Sequence, residues 1–210
     1  MNDLIKFGIG ALSQLPVNYD YNSSVKKVLN DVGDTPVVEI QVFRTPLQGY
    51  VDLGLTGLTA GDWDRAVKKY GYDEVFHLYM ICTLKTGQKV LVEKNEVINV
   101  AIALPAQYEQ TNPHYVQPVP IKGARNITVK GLLRNTRLLV GKNKFFTYNF
   151  RTNNCQVFIS DILTANSLET DELEKFIRQP IDKIASELKQ DDLFLPSVLP
   201  NIAGLISSRF

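Results

Sequence analysis

The sequence predicts an α+β domain in which a small antiparallel sheet packs against a cysteine-bearing helix. Three observations carry this. Residues 75–84 alternate cleanly, with Phe76, Leu78, Met80, Cys82 and Leu84 on one face and His77, Tyr79, Ile81 and Thr83 on the other. A Lys85-Thr86-Gly87-Gln88 loop then returns the chain as a partner strand over 90–101. Residues 155–166 place Cys155, Phe158, Ile159, Ile162 and Leu163 on one helical face, directly after an extended stretch.

The remaining elements follow in order. Residues 1–34 read as an N-terminal appendage with a short helix around Val25-Lys26-Lys27-Val28-Leu29 and a turn at Asp31-Val32-Gly33-Asp34. Residues 37–43 are rich in β-formers and bracketed by Pro36 and Pro46, the pattern of a strand. A helix runs from about Leu58 to Lys69 and stops at Gly71. Residues 104–123 carry Pro105, Pro113, Pro118 and Pro120 and read as a long extended surface loop without secondary structure. Thr128 caps a helix bearing Leu132, Leu133, Thr136 and Leu139/Val140, closed by Gly141. Residues 145–150 read as a strand, and 169–188 as a helix broken or kinked at Pro180. The main domain is thus expected over 35–190. An apolar tail follows over 191–210, whose large side chains start at Leu195 and belong in a groove of this chain, in a neighbouring subunit, on a protein partner or on a membrane surface.

Composition narrows the function. The chain has 210 residues, 44% hydrophobic and 21% charged, with a net charge of +1, so no basic stripe points to nucleic acid. Two cysteines, Cys82 and Cys155, are too few for a disulfide framework, and a reducing compartment is expected. The start Met1-Asn2-Asp3-Leu4-Ile5-Lys6 lacks the pattern of a secretory signal, and no apolar run reaches the ~20 residues of a membrane span. A cytoplasmic or virion-associated, non-secreted protein is the expectation. No Cys/His ligand cluster, Walker loop or dinucleotide fingerprint occurs, so neither metal nor organic cofactor is expected.

The chemistry concentrates on Cys155. It opens a helix, where unpaired backbone N–H groups and the positive end of the dipole favour thiolate over thiol. Cys82, mid-strand on an apolar face, is expected to be inert core. His77, on the mixed face of a rigid strand, is the expected base, ahead of His114 in the proline-rich loop. A third group should orient the imidazole. Glu96 is the first choice on the return strand: a two- or four-residue loop sets it opposite His77. A three-residue loop sets Asn95 there, and Glu93 remains a further option. The Cys155 N–H is a natural oxyanion donor. Gln156 could assist or be an exposed helix residue, and Tyr79 could line the cleft or be a half-buried strand aromatic.

The order of strand histidine, polar residue on the next strand, then cysteine heading a helix resembles the circularly permuted papain-like cysteine enzymes. The nearest resemblance is to the lecithin:retinol acyltransferase-like and NlpC-type group, including the small phospholipase A/acyltransferases. It rests on the helix over 132–139, Val140-Gly141, Tyr148 and Asn154-Cys155-Gln156-Val157-Phe158, with His77-Leu78-Tyr79 as the histidine strand. Two positions depart from that pattern. Gln156-Val157 stands where the group has Glu-His, and the group's second histidine is absent. The chain order also resembles the adenain-type viral maturation peptidases, and Asn-Asn-Cys-Gln resembles uncharacterised DNA-virus proteins. The resemblance implies a permuted papain-like fold and a cysteine-dependent hydrolase or acyltransferase acting on a peptide, amide or lipid acyl substrate, with Cys155, His77 and Glu96 catalytic. A non-catalytic structural protein that keeps the fold, such as a virion component, is the alternative, and an oligomer is compatible with either.

Overall fold

A computed structural model describes residues 19–46, 62–69, 76–109, 112–121, 126–149 and 152–179. In chain order it contains α1 (Ser23–Val32), β1 (Val37–Pro46), α2 (Asp62–Lys69), β2 (Phe76–Leu84), β3 (Lys89–Lys94), β4 (Ile98–Ile102) and α3 (Pro105–Tyr108). A 3₁₀ turn (Pro113–Tyr115), β5 (Val116–Val119), α4 (Val129–Val140), α5 (Lys142–Phe146), α6 (Cys155–Ala165) and α7 (Asp171–Ile177) follow. The five strands form one sheet in the order β4-β3-β2-β1-β5, and every pairing is antiparallel. The fold is α+β, with helices packed against this sheet.

Alternation in the strands creates two faces. Ile40, Val42, Leu78, Met80, Cys82, Leu84, Val90, Val92 and Val100 bury the larger one beneath Leu132 and Leu133 of α4 and Phe158, Ile159 and Ile162 of α6. α6 lies on β2 and β3, and α4 packs on α6. α1 lies against β4 and sends Val25 and Leu29 into the same core. Residues 23–32 of the segment read as an appendage therefore belong with the body. The opposite face holds a smaller cluster of Phe43, Ile81, Leu91 and Ala103, edged by Tyr79, Tyr108 and Val116. A bulge between Val37 and Glu39 turns Val38 outward, where it is 58% exposed.

The β2–β3 turn fixes the register on which the site depends. Leu84 N–H donates to the Gln88 carbonyl (2.8 Å) and Gly87 N–H to that of Leu84 (2.8 Å), with Gly87 at φ +85°. This is a three-residue loop with glycine in the left-handed position. It pairs Thr83 with Lys89 and Tyr79 with Glu93.

Three expectations are corrected. The described residues of 104–121 are not an unstructured loop: they include α3, the 3₁₀ turn and β5, which pairs with β1 from Phe43↔Val116 to Ile40↔Val119. Pro118 fits there because β5 is the last strand of the described sheet, where a missing N–H breaks no central ladder. Residues 145–149 do not form a strand. Gly141, at φ +81°, closes α4 and opens α5, whose Phe145 and Phe146 are buried edge-on against Tyr21 at 6.2 and 5.2 Å. Core burial overrides their β-propensity. The first part of the helix read over 169–188 ends at Ile177, before Pro180, and residues 180–188 lie outside the described residues. Thr170 caps α7 at Leu173 N–H, and the chain is already extended at Arg178 (φ −78°, ψ 119°), ahead of Pro180.

The start of the helix read from Leu58 and the tail 195–210 lie outside the described residues. No helix among those described is long and apolar enough to cross a membrane.

Candidate active site

The loop before α6 is held by its asparagines. Asn154 is the N-cap, and its side chain accepts from the N–H groups of Gln156 (3.0 Å) and Val157 (3.1 Å), which leaves Cys155 at the first helical position. Asn153 and Asn149 exchange backbone hydrogen bonds of 3.1 and 2.8 Å. The Asn153 amide donates to the carbonyls of Lys144 (2.8 Å) and Thr147 (2.7 Å). Beneath this loop lies Lys94, 1% exposed, whose ammonium donates to the Lys144 carbonyl (3.1 Å) and Asn153 Oδ1 (3.3 Å) and sits 5.5 Å from the Phe158 ring centroid. Burial, with repulsion from Lys144, pulls its pKa down to about 8 despite the attraction of Asp161.

Cys155 is 6% exposed. The His77 imidazole is the main group acting on its sulfur, with smaller effects from the backbone amides of Leu78 and Gln156. Burial opposes ionisation, but the imidazole and the two amides outweigh it, and the thiol pKa is lowered. The paired β2–β3 residues run from Tyr79↔Glu93 to Thr83↔Lys89, so Leu78 lies one residue past the end of that ladder.

His77 Nε2 shares a 2.8 Å hydrogen bond with Glu93 Oε2, which leaves Nδ1 for the thiol. Its side chain keeps 20% exposure. Burial disfavours its charge, yet the Cys155 thiolate and the Glu93 carboxylate raise its pKa to about 10. The ring stacks on Tyr79 (6.5 Å, 25°), which stacks on Phe43 (5.3 Å, 5°). Glu93 faces Tyr79 across the sheet and reaches His77 on the diagonal, within the span of a long side chain. Its second oxygen accepts from Asn99 Nδ2 (3.3 Å), directly opposite on β4. Burial pushes the carboxyl pKa up, and His77 with Asn99 pulls it below its ordinary value.

The fold thus brings Cys155 and His77 together and not Glu96. Glu96 stands exposed in the bend between β3 and β4, and Glu93 takes the place expected for it. The three-residue loop does align position 95 with His77, but Asn95 has turned into that bend. Its Oδ1 accepts from Val97 N–H and Asn99 Nδ2, both at 3.3 Å. Gln156 is not an exposed helix residue: it is buried and hydrogen-bonded to Gln179. His114 is exposed in the 3₁₀ turn, where its carbonyl accepts from Arg44 Nε (2.6 Å). Cys82 is fully buried, and burial raises its thiol to about 12.

Sequence reading missed Asn99, Lys94, Gln179 and Tyr148's closeness to the sulfur. Tyr148 lies beside the bridged Asn149–Asn153 turn, and burial together with the Cys155 charge raises its phenol pKa. A lone amide between Ile98 and Val100, and a lysine in phase with Val90 and Val92, were the available signals for the first two.

Lys94→Met should destabilise the protein by about 1–3 kcal/mol in urea unfolding, because it leaves buried acceptors short of a donor. Folded Lys94 releases its proton near pH 8, whereas the unfolded chain holds it to about 10.4. The unfolded state binds more protons in between. Wild-type stability relative to Lys94→Met should therefore rise with pH across that window.

No protein family, curated protein or solved structure matches the chain.

Proposed function

We propose that this chain is a cysteine-dependent hydrolase or acyltransferase of permuted papain-like type. The observation that carries the reading is the series Cys155, His77 and Glu93, in which His77 is hydrogen-bonded to Glu93 and the charges of thiol and imidazole favour each other, toward a thiolate–imidazolium pair. In the proposed reaction the Cys155 sulfur attacks an ester, thioester or amide carbonyl carbon. The Cys155 N–H, at a helix position with no intrahelical acceptor, donates to the resulting oxyanion. His77 gives the proton taken from the thiol to the leaving group as the carbon–heteroatom bond breaks. It then activates water, or an acceptor hydroxyl or amine, which releases the acyl group from sulfur. Glu93 holds the imidazole and balances its charge; Asn99 holds Glu93.

One observation favours the alternative, a non-catalytic protein that keeps the arrangement: Cys155 is only 6% exposed. Alkylation of Cys155 by iodoacetamide, followed against pH by peptide mass spectrometry, separates the two. The enzyme reading expects an inflection well below the ordinary thiol value of about 8.5. It also expects acyl or peptidyl probes to label the wild type and not Cys155→Ala. An ordinary inflection with no labelling would falsify it.

A further inference from the structure

Where the chain leaves α7, it makes a second connection to the site. Gln179 is 8% exposed. Its backbone N–H donates to Gln156 Oε1 (3.0 Å). Its side-chain Oε1 accepts both from Gln156 Nε2 (3.3 Å) and from Phe76 N–H (3.0 Å). Gln156 is the residue after Cys155, and Phe76 is the residue before His77. The nucleophile and the base stand on different elements, the start of α6 and the start of β2. One buried carboxamide oxygen therefore ties together the immediate neighbours of both.

This geometry constrains more than it stabilises. Gln156 and Gln179 form a reciprocal pair, with Gln156 Oε1 taking the Gln179 backbone N–H while Gln156 Nε2 gives to the Gln179 side chain. Each amide is thereby fixed in orientation, and Gln179 Oε1 is aimed at the first N–H of β2. Buried polar networks of this kind hold their members in one arrangement, because a small shift of either partner leaves a desolvated group unpaired. The Gln156 N–H donates to the N-cap oxygen Asn154 Oδ1 (3.0 Å) and belongs to the peptide that directly follows Cys155. Anchoring the Gln156 side chain thus fixes the peptide next to the residue that carries the reacting atom.

We infer that Gln179 is a positioning residue that sets the Cys155–His77 separation by clasping Gln156 and Phe76. The proposal rests on the Cys155–His77 reading above. Gln179 does not touch the reacting atoms; it acts through the residues flanking them. A purely structural role would lower stability and leave the reactivity of Cys155 against pH as it is.

The test uses the full chain and iodoacetamide, with folding checked by circular dichroism. Gln179→Met keeps the length of the side chain and removes the shared acceptor. A misplacement of ~1 Å can cost on the order of 100-fold in rate, so alkylation at pH 7 should slow about tenfold or more. The inflection should move up toward that of a free thiol. Gln156→Met removes two of the three hydrogen bonds and leaves α7 unaltered, so it keeps the test open if Gln179→Met does not fold. The double variant should shift no further than the larger single change, because the three bonds act as a unit. Folded variants with the wild-type profile would overturn the clasp alone. A wild-type profile that is itself ordinary overturns the Cys155–His77 pairing on which the clasp acts, so the two failures are distinct.

Discussion

His77→Ala should slow Cys155 chemistry at pH 7 by roughly 10²- to 10⁴-fold, the range that a positioned general base supplies. In the proposed mechanism the imidazole does two things. It takes the thiol proton, and its charge is the leading attraction that offsets burial of the sulfur. With alanine in its place the thiol keeps its burial and loses that attraction, so its pKa moves up and the thiolate fraction at neutral pH collapses. The wild-type pair is bounded on both sides. Its thiolate is lost as pH falls through the lowered thiol pKa, and the imidazolium is lost as pH rises through about 10. Alkylation of wild type should therefore be fast across neutral pH. In His77→Ala it should rise only on the alkaline side. Peptide-resolved rates from pH 5 to about 10 show both profiles, and superimposable curves would mean that the imidazole does not govern the sulfur.

Phe158→Ala should cost about 3–5 kcal/mol of stability, as removal of a buried aromatic does. Phe158 is 2% exposed and lies one turn after Cys155 on the buried side of α6. Its ring packs 5.9 Å from that of Phe145, and the Lys94 ammonium stands 5.5 Å from its centroid. Truncation opens a cavity and takes from Lys94 a contact worth ~0.5–2 kcal/mol. Urea unfolding should show a lower midpoint with an unchanged slope. Leu138→Ala is the control. Leu138 sits on the outer side of α4, 74% exposed, and its removal should stay within about 0.5 kcal/mol. Comparable losses in the two variants would contradict the assignment of Phe158 to the core.

The parts of this fold that were legible in the sequence are those governed by local chemistry. β2 shows a clean two-residue period. Thr128 and Asn154 announce α4 and α6 as caps, and Gly141 marks where α4 ends. Cys155 and His77 stand out for the same reason, since each sits at a distinctive place in its element. What was not legible depended on distance in space. Loops of two, three or four residues all fit 85–88, and only the left-handed Gly87 selects three. Even then the facing residue, Asn95, is lost to a bend, while Glu93 succeeds because a long side chain spans the diagonal. Phe145 and Phe146 have the propensity of a strand and the environment of a helix. Gln179 carries no local signal, because its partners are 23 and 103 residues away in sequence.

Pro118 in β5 has a bearing on how copies of this chain meet. A sheet ends in a row of backbone donors and acceptors that can template a strand from another molecule. β5 is the last of the described strands on its side, and it is only four residues long, Val116–Val119. Proline within it deletes one donor from that row and fixes the local φ, so a sixth strand would find a gap where its carbonyl needs a partner. The proline that makes this segment look like linker thus weakens the outer row of the described sheet as a template for another strand.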